Sequence, residues 1–205
     1  MTTANRHWNA IFSTKLDSEL GWYEHDATQT LKFFDHIPEN HTATVFLAGA
    51  GTSVLVEELL SRGSRLILND ISDEALDKLK KRIGHGQDRL IWLHHDISKP
   101  VPDGLPHADI WIDRAVLHFL LDEDQIEGYF RNLRLILRRG GFVLLAEFST
   151  GGASKCAGLD LHRYSIDEMT KRLGEEFELI KHEDYVFINP FGEPLPYIYA
   201  LYKRK

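Results

Sequence analysis

The sequence predicts an α/β fold, a doubly wound sheet of mostly parallel strands with helices on both faces. Three observations predict it. From residue 43 onward, apolar runs of strand length alternate with amphipathic helical stretches. The first run, "VFLAGAGTS", passes into a helical pattern through Gly49 and Gly51, a handover that lets backbone come close to a ligand. Successive runs then end in a glycine turn or an acid: Gly49/Gly51, Asp70, Asp96, Asp113 and Glu147.

The elements follow in order. An N-terminal extension carries helical patterns over residues 6–16 and 27–36, separated by "ELGWYEHD". "TATVFLA" is the first strand, and "TSVLVEELLSRG" a helix closed by Gly63. "SRLILND" is a buried strand; "SDEALDKLKKRIG" is a helix capped by Ser72, with acids in its first turn and bases in its last. "DRLIWLHHD" and "ADIWIDRA" are strands joined through the proline-rich "SKPVPDGLP". "DEDQIEGYFRNLRLILRRGG" is a long helix with an Asp122/Gln125 capping box, closed by its glycines. "FVLLAEFS" is the fifth strand, and a glycine-rich loop leads to "SIDEMTKRLGEEF", a helix with a Ser165/Glu168 capping box. "ELIKHEDYVFINP" and "LPYIYALYKRK" have no helix between them, so they pair as an antiparallel hairpin.

Composition narrows the function. The 205 residues are 43% hydrophobic and 27% charged, enough for one sizeable domain. A net charge of −7 argues against nucleic acid or an anionic membrane as partner. Arg131, Arg134, Arg138 and Arg139 read as a solvated helix face. The lone Cys156 excludes an intrachain disulfide, and no signal peptide or membrane-spanning run is visible, so the cytoplasm is the expected location.

In a doubly wound sheet the ligand lies beyond the carboxyl ends of the strands. Asp70 follows Gly51 by about the 20 residues at which a nucleotide-binding unit places its ribose carboxylate. Val54 stands where a dinucleotide fingerprint needs its third small residue, and a terminal hairpin does not suit a six-stranded dinucleotide fold.

In order, "FLAGAGTS", "LILND", "LHHDI", "DIWIDRAVLHFL" and "LRRGGFVLLAEFS" resemble the five motifs of class I S-adenosylmethionine-dependent methyltransferases. The likeness runs from about residue 43 to the C-terminus; "DRAVLHFL" and "KCAGLDLHRYS" also resemble a group of small bacterial members. It implies a Rossmann-like seven-stranded sheet of order 3-2-1-4-5-7-6 with strand 7 antiparallel. It implies one domain over 1–205, with residues 1–40 a helical cap and 41–205 the core. S-adenosyl-L-methionine is the implied cofactor. Gly49, Ala50, Gly51 and Ser53 would pack on its amino-acid portion, Asp70 with Ile71 would hold the ribose, and Asp96 and the Ile97 N–H would meet the adenine. Asp113 would sit by the methionine end and the acceptor. Two residues depart from the family pattern: Leu47 stands in place of an acid, and Ser53 in place of a glycine.

His118, just past the fourth strand, is the candidate catalytic base, able to take a proton near pH 7; a packed or capping histidine is the alternative. Asp113 is read either as a catalytic residue with a direct role beside the acceptor or as a structural partner of Arg114. In the loop after strand five, Lys155, Arg163 and Tyr164 are candidates to bind an anionic acceptor, against a solvated loop that Tyr164 anchors. Trp22 and Tyr23, with Trp8 and Phe12, form either a lid or the cap's own core. His94 and His95 point to opposite faces of a strand and do not suggest a metal. The favoured reading is methyl transfer to a small-molecule acceptor. A lysine side chain of a protein is the rival acceptor. A nicotinamide-dependent oxidoreductase and a non-catalytic cofactor-binding protein are the rivals from other classes.

Overall fold

A computed structural model describes residues 2–84 and 88–205. β1 (Thr44–Ala48) sets its frame: Val45 and Leu47 enter one apolar layer, Phe46 and Ala48 the other. β2 (Arg65–Asp70) and β4 (Ala108–Arg114) flank it in parallel, pairing Leu68 and Ile112 with Leu47. β3 (Leu90–His94) lies outside β2, and β5 (Leu137–Phe148) outside β4. β6 (Lys155–Cys156) and β7 (Leu159–Asp160) make a small separate hairpin in the loop after β5. β8 (Phe177–Ile188) and β9 (Pro194–Arg204) form the terminal antiparallel hairpin, with β9 against β5. The seven-stranded order β3-β2-β1-β4-β5-β9-β8 is the expected 3-2-1-4-5-7-6.

Helices cover both faces. α2 (Thr28–Phe34) and α3 (Leu55–Ser61) pack Phe33, Phe34, Val56 and Leu59 into the Val45/Leu47 layer. α5 (Glu123–Ile136) and α6 (Ile166–Leu173) bury Tyr129, Leu133 and Met169 in the layer that holds Phe46 and Trp111. α4 (Asp73–Ile83) starts where expected, with Ser72 Oγ accepting the Ala75 N–H at 3.1 Å. α1 (Thr3–Thr14) lies against α4. Its Asn5 Nδ2 donates to the Ile71 carbonyl at 2.6 Å, and its Asn9 Nδ2 to Asp73 Oδ1 at 2.6 Å.

Some local expectations fail for physical reasons. α5 ends at Ile136, and Gly140 and Gly141 belong to β5 rather than to a helix terminus. A Cβ on Gly141 would lie 2.8 Å from the Asp109 carbonyl, so that glycine serves close approach of two strands. Asp122 makes no side-chain cap. Ser165 does cap, accepting the Glu168 N–H at 3.2 Å, but the Glu168 carboxylate turns to His162 and Arg172 instead of closing a box. Among the described residues no helix is long and apolar enough to cross a membrane.

Candidate functional site

The strand registers bring Ala48 level with Asp113, and Asp70 level with His94. A cleft opens just beyond these ends, beneath the N-terminal segment. At its centre Gly49 and Gly51 have φ of +62° and +50°, a region in which a side chain strains the backbone. A Cβ on Gly49 would fall 2.1 Å from Val116 Cγ2. The turn is therefore shaped both by conformation and by close packing.

One end of the cleft gathers the carboxylates expected there. Asp70 is 6% exposed; its Oδ2 accepts the Gly51 N–H and its Oδ1 the Ser72 N–H, both at 2.8 Å. Burial pushes its carboxyl up to about 6, against the pull of those N–H donors. A second lone pair on each oxygen is left for a ligand. Asp96 spends only Oδ1, on the N–H and hydroxyl of Ser98 at 3.0 and 2.7 Å. Asp70, Ile71, Asp96 and Ile97 all line this end.

The N-terminal segment roofs the cleft. Trp8 meets Trp22 edge-on at 5.6 Å and Phe119 at 4.8 Å, and Trp8, Phe12 and Trp22 line the space beneath. The lid and cap-core readings of these aromatics therefore coincide in one cluster. Toward the glycine turn the cleft continues into a narrower compartment lined by Ala50, Ser53, Trp22, Tyr23, Glu24 and Arg114.

His118 lies on the cleft wall with its side chain wholly buried. Glu147 Oε2 accepts the His118 backbone N–H at 3.2 Å and sits 2.6 Å from Nδ1. Burial pushes the Glu147 carboxyl up to about 8, so a neutral carboxyl faces a neutral imidazole across this short contact; in the tautomer whose Nδ1–H donates to Glu147, Nε2 keeps its lone pair. Nε2 is buried without a partner. Burial, and secondarily the charge of Arg114, lower the imidazole to about 3, while Asp113 pulls the other way. The side chain lines the cleft, but the basicity expected near pH 7 is absent: this imidazole is neutral there.

Four other expectations need correction. Asp113 points to the opposite face of β4 from Ile112 and lines neither part of the cleft. Its carboxylate, fully buried, holds the following turn by accepting from the Val116 and Leu117 N–H groups at 2.9 and 3.1 Å. Burial beside Glu147 raises its pKa well above the usual range. It is a structural residue, as is Tyr164, which is buried beneath the loop and bonds back to Phe148. Lys155 pairs with Asp160 at 3.2 Å, its side chain 68% exposed. Arg163 donates to the carbonyls of Thr150 and Gly152, both at 3.2 Å, stapling its own loop. The loop instead gives Cys156 and Leu159 to the cleft.

Arg114 and Glu24 are the residues that sequence reasoning missed. The Arg114 guanidinium stacks over Phe187 and Tyr197, 4.8 and 5.3 Å from their centroids, and Nη1 donates to the Trp22 carbonyl at 2.7 Å. Glu24 Oε2 lies 3.2 Å from Nε, yet Nε and Nη2 are buried without hydrogen-bond partners. The available signal was strand parity: with Asp113 turned to one face, the adjacent Arg114 must face the other.

Residues 47–143 match the family model described as a methyltransferase domain. No curated protein matches the chain. The fold is similar to that of the N-methyltransferase NodS from Bradyrhizobium japonicum in complex with S-adenosyl-L-homocysteine. That pair has a TM-score of 0.75 and 13% identity, over 99% of each chain. An S-adenosylmethionine-dependent methyltransferase from Anabaena variabilis gives 0.76 at 16% identity, over 98% of this chain and 93% of the other. The 1,6-didemethyltoxoflavin-N1-methyltransferase of Burkholderia thailandensis gives 0.68 at 17% identity, over 99% and 84%.

Proposed function

We propose that this chain, which has the class I S-adenosylmethionine-dependent methyltransferase fold and matches a methyltransferase-domain model over residues 47–143, methylates a small-molecule acceptor with S-adenosylmethionine as donor. The observation that carries the reading is one roofed cleft with two chemically distinct ends. The carboxylates of Asp70 and Asp96 line one part, and His118, Phe119 and Cys156 another, with the glycine turn between them.

The residues present fit such a cofactor. Asp70 and Asp96 keep unused acceptor lone pairs, suited to ribose hydroxyls and an adenine amino group. Gly49 and Gly51 hold backbone where a ligand approaches closely, and Ala50, Ser53, Ile71, Ile97 and Trp22 complete the walls. When bound, S-adenosylmethionine supplies an electrophilic methyl group on a sulfonium.

The protein's own work is then to hold, shield and orient. Trp8, Phe12 and Trp22 exclude water from above. The neutral His118, with its Nδ1–H donating to Glu147, accepts a hydrogen bond at Nε2 from the N–H or O–H of the acceptor. A base as weak as His118 orients that proton rather than storing it, so the proton released on methylation passes to solvent. In this reading residues 1–205 act as one domain, with 1–40 the cap and 41–205 the core. The roof favours a small acceptor over a protein lysine.

Incubation with methyl-labelled S-adenosylmethionine and cell lysate, followed by separation of small from large products, tests this. Label in the small-molecule fraction supports it. Label on protein shifts the acceptor to a side chain. Cofactor binding without transfer makes the chain a binding protein, and binding of NAD(H) alone overturns the reading.

A further inference from the structure

The narrow compartment between Trp22 and the glycine turn contains two charged side chains of opposite sign, Glu24 and Arg114. Their side chains are only 14% and 12% exposed. Arg114 presents a buried Nη2 outside hydrogen-bond geometry with any neighbour, although the Tyr199 hydroxyl lies beside the guanidinium; its face is fixed by Phe187 and Tyr197 and its Nη1 by Trp22. Unpaired donors on a buried cation are costly unless a ligand meets them. The pair itself is incompletely joined, since Nε, 3.2 Å from Glu24, has no hydrogen bond. Burial also raises the Glu24 carboxyl above its ordinary range, with Arg114 only partly opposing it. The rest of the lining adds no charge: Leu47 and Val54 are apolar, and the turn offers backbone.

One anion and one cation side by side, the cation with donors to spare, match a zwitterion. The compartment also shares Trp22, Gly49, Gly51 and Arg114 with the cleft that holds Asp70, so a single ligand spans both. We infer that Glu24, supplied by the N-terminal cap, receives the α-ammonium of the cofactor's amino-acid end, and that Arg114 receives its α-carboxylate. This rests on the S-adenosylmethionine reading. It gives Leu47 a consequence: the charge absent from the β1 end is provided by the cap instead.

The plainer role for Glu24 is to pin the cap to β4 through Arg114. Three ligands separate the two roles by calorimetry: S-adenosylhomocysteine, its analogue lacking the α-amino group, and 5′-methylthioadenosine, which lacks the amino-acid end. In Glu24→Gln the first is expected to lose about tenfold in affinity, while the other two keep their wild-type affinities. Equal weakening of all three, or no weakening of S-adenosylhomocysteine, overturns the inference and leaves Glu24 a structural pin. If Glu24→Gln melts below the assay temperature, Arg114→Lys is read the same way, on an analogue lacking the carboxylate. If the wild type binds none of these ligands, the cofactor reading itself fails, and this inference with it.

Discussion

Asp70→Asn separates the binding role of this carboxylate from its place in the fold. The wild-type carboxyl rises from 3.8 to about 6, mainly through burial. The folded value lies above the unfolded one, so the ionised fold is penalised by about 3 kcal/mol. That penalty is absent below 3.8, grows as pH rises, and is complete above about 6. The neutral amide removes it. Against this, Asn offers one acceptor oxygen where Gly51 and Ser72 both donate, leaving one buried N–H unpaired at about 1–3 kcal/mol. The two terms nearly cancel, so thermal stability above pH about 7 should change little. Binding has no such compensation. Hydrogen bonds to a charged acceptor contribute about 1.5–3 kcal/mol each, and losing about 3 kcal/mol weakens S-adenosylhomocysteine roughly 100-fold. Calorimetry and thermal denaturation on the same preparation measure both. Wild-type affinity should also decline as pH falls through about 6, and the variant's should not. A variant that binds within about threefold of wild type, or a wild type indifferent to pH there, refutes the ribose assignment.

Gly49→Ala places a Cβ 2.1 Å from Val116 Cγ2 at φ +62°, and should lower stability in urea by about 2 kcal/mol or more. Adding Val116→Ala should recover part of the loss; no recovery means the backbone strain alone is responsible. His118→Ala should reduce kcat by about 10- to 100-fold with S-adenosylhomocysteine affinity intact. Because the imidazole is held near 3, the wild-type kcat profile should show no His118-dependent inflection near pH about 6.5, and such an inflection would disprove the neutral assignment. Lys155→Ala and Arg163→Ala should each leave kcat/KM within about twofold, since both side chains are spent on their own loop; a large loss would show that the loop folds over the cleft during turnover.

The sheet was readable because periodicity and handover residues are local. The alternation of Val45, Phe46, Leu47 and Ala48 between two layers follows from strand geometry. The missing helix before the last strand was enough to announce the hairpin. The carboxylate end was readable for the same reason, as Asp70 and Asp96 sit where strands stop. The proposed acceptor end was not, because chemistry there depends on which way a side chain turns in three dimensions. Lys155 and Arg163 have the right charge, but their loop gives them nearer partners. Asp113 is at a strand end like the others, yet its face of β4 is packed rather than open. Glu24 and Arg114 meet across a long stretch of chain, and no spacing rule links a residue between two cap helices to the end of β4.

On the proposed reading the cap is part of the binding site rather than a cover added to it. At the carboxylate end, Asn5 and Asn9 of α1 bond to Ile71 and Asp73, directly after Asp70. At the other end, Arg114 of β4 donates to the Trp22 carbonyl and lies beside Glu24. Both attachments fall on residues that immediately follow or form the ligand-facing strand ends. Docking the first 40 residues thus completes the walls of the cleft and brings in the charges that the β1 end lacks. A core without its cap would keep Asp70 and Asp96 but lose Trp22, Glu24 and the carbonyl that orients Arg114. Cofactor affinity and cap docking then draw on the same contacts, and each must strengthen the other by the reciprocity of linked equilibria.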